Sequence, residues 1–177
     1  MTTTIEQGHA VPTGTWTADT VHSSLSFEVP YAVATFNGEA TDFAVRLEDG
    51  ALGGSARIES LTVKDEALRA HLLSPEFFDA ERHPEVTFAS SAIRRDGEEV
   101  EIDGTLTMKG TTRPVTLHGT ITGPAVDHFG AMRLGLALRT VVDRTEFGMR
   151  WNMPLPTGEP ALSNDVTLKA DLTLVAS

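Results

Sequence analysis

The sequence lacks cysteine altogether and has no long apolar run. The absence of cysteine excludes disulfides, thiolate chemistry and zinc–sulfur sites. No stretch approaches the roughly 20 apolar residues that a membrane-spanning helix requires. The first fifteen residues also lack the basic start, apolar segment and small-residue cleavage pattern of a secretory signal. We therefore expect a soluble, cytoplasmic protein.

Positive charge is scarce as well. Fourteen Lys and Arg residues stand against 25 Asp and Glu residues, which gives a formal net charge of -11. Such a surface repels phosphate backbones, so we expect no nucleic-acid partner. The six histidines form neither an HxH nor an HExxH pattern, and we therefore predict no metal site and no cofactor.

The dominant pattern that is present is an alternation of apolar and polar residues. In residues 100–108 the even positions carry Val, Ile, Gly, Leu and Met, and the odd positions carry Glu, Asp and Thr. The same alternation recurs in 115–122 and 166–174. A period of two is typical of a β-sheet with one apolar face. With 177 residues, the chain suits one domain over residues 15–177, after a flexible lead-in of residues 1–14.

Turn signals separate the alternating segments. Asp49-Gly50 and Asp96-Gly97 are hairpin dipeptides, since both residue types tolerate positive φ. Lys109-Gly110, followed by Arg113-Pro114, predicts a further break. About eight strands result, each beside its sequence neighbour. The predicted fold is all-β: an extended eight-stranded antiparallel β-barrel, lipocalin-like, with one short helix. A two-sheet sandwich is the alternative, because periodicity does not reveal closure.

The short helix is predicted over residues 74–80, which read SPEFFDA. Serine before proline and an acidic residue is a helix-start signal, and Pro84 would end the helix. We expect one of Phe77 and Phe78 to plug the barrel wall and the other to edge a cavity.

Two polar clusters invite a chemical interpretation. Asp19 and His22, with Ser23 or Ser24, could form a hydrolytic triad, but nothing supplies an oxyanion hole. The better interpretation is that Asp19 and Ser24 form side-chain turns at a strand entry and that His22 ties down the neighbouring backbone. Asp143, Arg144 and Glu146 form either a solvated rim or a site where buried Arg144 holds carboxylates or a ligand headgroup. We predict that the protein is not an enzyme.

The inward apolar face is the best candidate for a site. A barrel of this size either fills its interior with side chains or holds one small ligand. Small inward residues (Gly104, Gly119 and Ala170) favour a cavity, in which each buried methylene would contribute about 0.8 kcal/mol. The predicted ligand-binding residues, for each of which core packing is the alternative, are Phe27, Phe36, Phe43, Phe78, Phe88, Leu106, Met108, Leu117, Met132, Leu136, Phe147 and Trp151.

Four ordered blocks resemble a known family. They are WTADxxHS at residues 16–23, LLSPEFFDA with HPEVTF over 72–88, GTLTMKGTTRPV at 104–115, and DRTEFG at 143–148. Over about residues 16–175, the sequence resembles the YceI-like family of polyisoprenoid-binding, lipocalin-like proteins. Two positions depart from the family pattern: Ala40 replaces an aromatic residue, and Tyr31 replaces a polar one. We expect Ala40 to widen the cavity or to leave a gap filled by Phe36.

The resemblance implies an extended barrel with a helix against it, without catalysis. It also implies that the barrel binds, stores or transports a long apolar lipid: a polyisoprenoid, an isoprenoid-quinone precursor or a fatty amide. A covered mouth would favour a homodimer. The alternative is a packed barrel that acts as a stress-related structural or partner-binding protein.

Overall fold

A computed structural model describes residues 10–177 of the chain. In this part of the chain, eleven strands, one α-helix (α1) and two 3₁₀ turns follow one another. The strands are β1 (Thr15–Ala18), β2 (Ser24–Tyr31), β3 (Ala34–Ala40), β4 (Phe43–Glu48), β5 (Ala51–Arg57), β6 (Leu61–Thr62), β7 (Glu85–Asp96), β8 (Glu99–Met108), β9 (Thr111–Val126), β10 (Met132–Asp143) and β11 (Asp165–Ala176). Helix α1 spans Glu66–Leu73, and the 3₁₀ turns span Ile58–Ser60 and Arg144–Phe147.

Eight of these strands close into a ring. Their order is β1-β4-β5-β7-β8-β9-β10-β11, and β1 pairs with β11 through Trp16 and Ala176 to complete the circle. Every pairing is antiparallel. The predicted closed barrel is therefore confirmed, and the sandwich alternative is wrong. Strands β2, β3 and β6 extend the sheet beyond the ring, at the end that carries α1. We call this the lower end, and the end with the Asp49-Gly50 turn the upper end.

The lower half of the barrel is less completely paired than the upper half. The β9–β10 ladder ends at the pair His118 and Arg139, so the first part of β9 pairs with β8 alone among the described strands. Pro114 lies in this part and has no N–H to donate, which a strand edge without a partner tolerates. The Arg113-Pro114 dipeptide was predicted to help break the chain between two strands, but it lies within β9.

Two of the predicted hairpin turns have the expected backbone. Asp49 and Gly50 both have positive φ (48° and 82°), and so do Lys109 and Gly110 (51° and 75°). This pattern defines a turn whose twist matches that of the flanking strands. In the third hairpin, Asp96 is the last residue of β7, and only Gly97 has positive φ.

The predicted position of the helix is wrong. Helix α1 precedes the SPEFFDA segment, and Asp65 is its N-cap: its side chain accepts a hydrogen bond from the Leu68 amide at 3.0 Å. Ser74, predicted as the N-cap, instead ends α1, since its amide donates to the His71 carbonyl. The residues after Ser74 form turns because Pro75 cannot continue the helical hydrogen bonds.

The interior divides into two apolar clusters. The upper cluster includes Trp16, Leu47, Ile102, Leu134 and Leu174 and is densely buried. The lower cluster gathers residues from the strands, α1 and the two long loops at 74–84 and 148–164. Of the predicted lead-in, residues 1–9 lie outside the described residues. Residues 10–14 of the predicted lead-in contact the upper end of the barrel, where the Gly14 amide donates to Asp49 Oδ1 at 3.1 Å.

Candidate functional site

A cavity of about 540 Å³ occupies the lower half of the barrel. Its wall is predominantly apolar and comes from the inward faces of the strands and from α1. Seven of its lining residues are exposed to solvent, and four of these lie on two elements at the lower end: Tyr31, Ala34 and Thr35 on the β2–β3 hairpin, and Leu68 on α1. These four residues mark an opening between the hairpin and the helix. The volume falls within the roughly 300–1,000 Å³ that is common for ligand pockets.

Small residues create the space. Ala40, Gly54, Ala56 and Ala170 all line the cavity. The position of Ala40 in the cavity wall agrees with the expectation that this residue widens the interior. Gly104 and Gly119, which were also expected to make room for a cavity, have another role. A Cβ at Gly104 would lie 2.6 Å from Phe88 Cζ, and a Cβ at Gly119 would overlap the Ala137 carbonyl. These two glycines therefore allow close packing and do not line the cavity.

The cavity wall contains eight of the twelve predicted ligand-binding residues. These are Phe27, Phe36, Phe78, Phe88, Leu106, Met108, Leu117 and Trp151. Phe147 is buried in the lower cluster, Leu136 is buried in the upper cluster, and Phe43 packs against the upper cluster. Met132 is 41% exposed at the upper end. Alternation along a strand identifies the inward face, but it does not indicate how far along the barrel the open space extends.

Three phenylalanines form the aromatic side of the cavity. The ring centroid of Phe27 lies 5.7 Å from that of Phe36 and 6.4 Å from that of Phe78. Phe78 therefore edges the cavity, as expected for one of the adjacent pair. Phe77 is buried beside α1 and lines the cavity as well, so it does not plug the strand wall.

Charged side chains fasten the lower end. Arg69 of α1 donates from Nε to the Leu61 carbonyl at 2.9 Å and also bonds the Glu59 carbonyl. Lys109, at the tip of the β8–β9 hairpin, donates to the carbonyls of Pro75 (2.6 Å) and Gly148 (3.3 Å). Desolvation lowers the pKa of Lys109, and the charge of Asp79 partly opposes that shift. The helix and both long loops are thereby tied to the barrel.

One polar side chain stands among the aromatic rings at this end. His71 lines the cavity from α1, and its ring lies edge-on to Phe77 (4.8 Å between centroids) and to Trp151 (4.7 Å). Its Nε2 atom lies 2.7 Å from Glu76 Oε2. His71 is not among the predicted ligand-binding residues, because the predicted helix (residues 74–80) lies after it in the sequence. Helical spacing of Leu68, His71 and Leu72 along one face would have identified it.

Arg144 is neither a solvated rim residue nor a partner of carboxylates. Its side chain is buried and donates to three backbone carbonyls: Met149 at 2.7 Å, Ser163 at 2.9 Å and Leu162 at 3.4 Å. Burial lowers the pKa of its guanidinium, and the charge of Asp143 opposes this shift. Arg144 therefore acts as a clamp that holds the 148–164 loop under the cavity.

The Asp19, His22 and Ser23 group does not assemble a triad. His22 Nδ1 lies 2.7 Å from Asp19 Oδ2, but Ser23 Oγ bonds the Thr173 backbone. Asp19 also accepts from the Val21 amide and from Arg133. The hydrogen bond with His22, followed by that with Arg133, holds the pKa of Asp19 well below its usual range. This arrangement agrees with a structural turn at the strand entry.

Residues 10–177 contain neither a candidate metal cluster nor a candidate membrane-spanning helix. No three side chains of His, Asp or Glu converge there in a way that could hold a metal ion. Within the same residues, no helix has both the length and the apolarity to cross a bilayer.

The family model for the YceI-like domain matches residues 16–174. The chain belongs to the YceI-like family. The resemblance predicted from the four sequence blocks is thus confirmed. A curated YceI-like relative, protein YceI of Escherichia coli O157:H7, is 32% identical over 83 residues, which cover 47% of this chain and 44% of that protein. The chain therefore spans less than half the length of this relative.

Solved structures share the fold of this YceI-like chain. BcnA of Burkholderia cenocepacia has a TM-score of 0.72 at 21% identity and covers 90% of this chain and 99% of its own. A polyisoprenoid binding domain from Saccharophagus degradans has a TM-score of 0.72 at 11% identity, with 92% and 98% covered. At such identities the likeness establishes the fold alone.

Proposed function

We propose that this YceI-like protein binds one long apolar lipid in the lower half of its barrel and stores or carries it. The candidate ligands are a polyisoprenoid, an isoprenoid-quinone precursor or a fatty amide. The protein acts as a binding protein and performs no catalysis. The description of the Saccharophagus degradans neighbour as a polyisoprenoid binding domain supports the choice of lipid class.

The observation that carries this proposal is the apolar cavity of about 540 Å³ with an opening beside α1. An unfilled apolar cavity costs stability, since its lining side chains lack van der Waals partners on one side. A hydrocarbon chain would restore those contacts and remove the lining from water at about 25 cal/mol per Å² of apolar surface. The cavity counts against the alternative of a packed barrel with a purely structural role.

Native mass spectrometry of the purified protein, followed by denaturing solvent extraction, tests the proposal. We expect an added mass that is lost on denaturation and that migrates as an apolar compound in chromatography. A protein without added mass would next be titrated with a polyprenol and with a fatty amide. Absence of both co-purified lipid and saturable uptake would contradict the proposal.

The finer parts of the proposal are transfer between membranes, residence in the cytoplasm and assembly as a homodimer. Each has its own test: lipid exchange between donor and acceptor vesicles, fractionation of the source cells, and light scattering across a range of protein concentrations. A homodimer that covers the opening beside α1 would bury Tyr31 and Leu68, both of which are exposed in the single chain.

A further inference from the structure

We propose that His71 is the headgroup site of the cavity and that it selects a lipid whose headgroup donates a hydrogen bond, such as the hydroxyl group of an isoprenoid alcohol. This inference rests on the proposed function and names the ligand class within it. Helix α1 carries Leu68, His71 and Leu72 on the face that lines the cavity. His71 is thus a hydrogen-bonding group in a predominantly apolar wall, one helical turn from the exposed Leu68 at the opening.

The ring of His71 is held in place from three directions. Phe77 and Trp151 contact it edge-on, with centroid distances of 4.8 and 4.7 Å, and Glu76 bonds Nε2 at 2.7 Å. These contacts come from two different loops and oppose rotation of the ring. A ligand atom that meets His71 therefore finds a nitrogen that is already oriented, which lowers the entropic cost of binding.

Within residues 10–177, only one of the two ring nitrogens of His71 has a protein partner. Glu76 does not line the cavity, although His71 does, so Nε2 is used on the outer side of the ring. In residues 10–177 no protein group bonds Nδ1. Since no fully buried side-chain nitrogen or oxygen in this part of the chain lacks a partner, the unpaired Nδ1 keeps accessible surface, and it belongs to a residue that lines the cavity.

The partner of Nε2 determines the chemistry of Nδ1. A carboxylate only accepts hydrogen bonds, so Nε2 carries the proton and donates to Glu76. In the neutral imidazole, Nδ1 is then an acceptor and requires a donor from the ligand. The terminal hydroxyl of an isoprenoid alcohol supplies that donor, while its tail lies along the apolar wall. A quinone carbonyl or an ether oxygen has no hydrogen to donate.

Competitive displacement of a fluorescent apolar probe, with farnesol and farnesyl methyl ether as competitors, tests this inference. The two molecules share the isoprenoid tail, and only farnesol has the hydroxyl hydrogen. One hydrogen bond in an apolar site corresponds to a preference of about threefold to tenfold, so wild-type protein should favour farnesol by that factor. The variant His71→Phe keeps an aromatic ring between Phe77 and Trp151 and should lose the preference while it retains affinity for the ether.

Two further variants complete the design. His118→Phe removes a histidine from the outer wall, where it pairs with Glu101, and should keep the wild-type preference. Glu76→Gln changes a half-exposed residue, so the barrel remains folded even if His71→Phe does not fold. The Gln amide can either donate to Nε2 or accept from it, so it no longer fixes the proton on Nε2. The preference for farnesol should therefore fall in this variant. In the wild type, farnesol should shift the ¹⁵N resonance of His71 Nδ1, and the ether should not.

The outcomes separate this inference from the proposed function. Equal affinity of the wild type for the two competitors, or an unchanged preference in His71→Phe, would overturn the role of His71 and leave lipid binding intact. Failure of both competitors to displace the probe from any variant, together with no uptake of polyprenol, would overturn the proposed function and this inference with it.

Discussion

Gly38 of β3 lies opposite Phe27 of β2, and the Phe27 ring occupies the space that a side chain at Gly38 would fill. A Cβ atom at this position would approach Phe27 Cζ to 2.6 Å. Phe27 is buried and contacts Phe36 and Phe78, so its ring cannot move without disturbing the aromatic side of the cavity. The absence of one methyl group thus positions three aromatic rings.

Gly38→Ala should therefore destabilise the protein by about 1–3 kcal/mol, the usual cost of overpacking, and should weaken uptake of polyprenol. Chemical denaturation and lipid titration measure the two effects. Gly135→Ala is the matched control, since a Cβ there meets only Thr122, at an ordinary 3.6 Å, and Gly135 does not line the cavity. Equal effects of the two substitutions would contradict the steric explanation.

Leu117→Trp should weaken lipid uptake at least tenfold while the barrel remains folded, because Leu117 lines the cavity and the indole would occupy ligand space. Met132→Trp, at the exposed upper end, should leave uptake unchanged. Uptake is measured by titration and folding by thermal denaturation. If Leu117→Trp destabilised the fold by about 1–3 kcal/mol with unchanged uptake, Leu117 would be a core residue and not part of the lipid site.

Arg144→Met should lower the free energy of unfolding by at least about 2 kcal/mol. The substitution leaves three loop carbonyls without their donor, and a buried unpaired polar group costs about 1–3 kcal/mol. Arg139→Met changes an exposed arginine and should stay within about 0.5 kcal/mol of the wild type. A denaturation midpoint for Arg144→Met close to that of Arg139→Met would show that water replaces the guanidinium.

Asp103 should contribute to the pH dependence of stability. The paired hydrogen bonds from Arg94, followed by the bond from Thr116, lower its pKa to about 2 from 3.8. Because the folded state favours the ionised carboxylate, this contribution is complete above about pH 4 and disappears as the pH falls towards 2. Asp103→Asn should therefore lose less stability than the wild type between pH 4 and pH 2. Parallel curves in urea denaturation at these pH values would contradict this role.

The strand pattern could be predicted because side-chain alternation and turn chemistry are local. Residues 100–108 alternate as β8 does, and Lys109-Gly110 adopts the backbone that its turn requires. The helix could not be placed in the same way. Ser74-Pro75 has the composition of a helix start, but Asp65 caps the chain earlier and the sequence EALRAHLL that follows favours a helix more strongly.

Much of the site depends on contacts between distant segments, which explains the remaining differences. Phe147 has the same apolar character as Phe88, yet only Phe88 meets the open volume. Arg144 appears in the sequence as one of several charged residues, and its burial follows only from the loop carbonyls that surround it. Gly104 and Gly119 allow neighbouring groups to approach the backbone closely. The alternation of side chains along a strand does not reveal where such close approach is needed.

The end of the β9–β10 ladder at Arg139 has a mechanical consequence. In the upper half, any increase in the girth of the barrel must stretch or break backbone hydrogen bonds around a complete ring. In the lower half, β9 and β10 can part below His118 without the loss of a ladder bond between them. The upper half of the barrel should therefore resist expansion, and the lower half, which contains the cavity, should widen more easily.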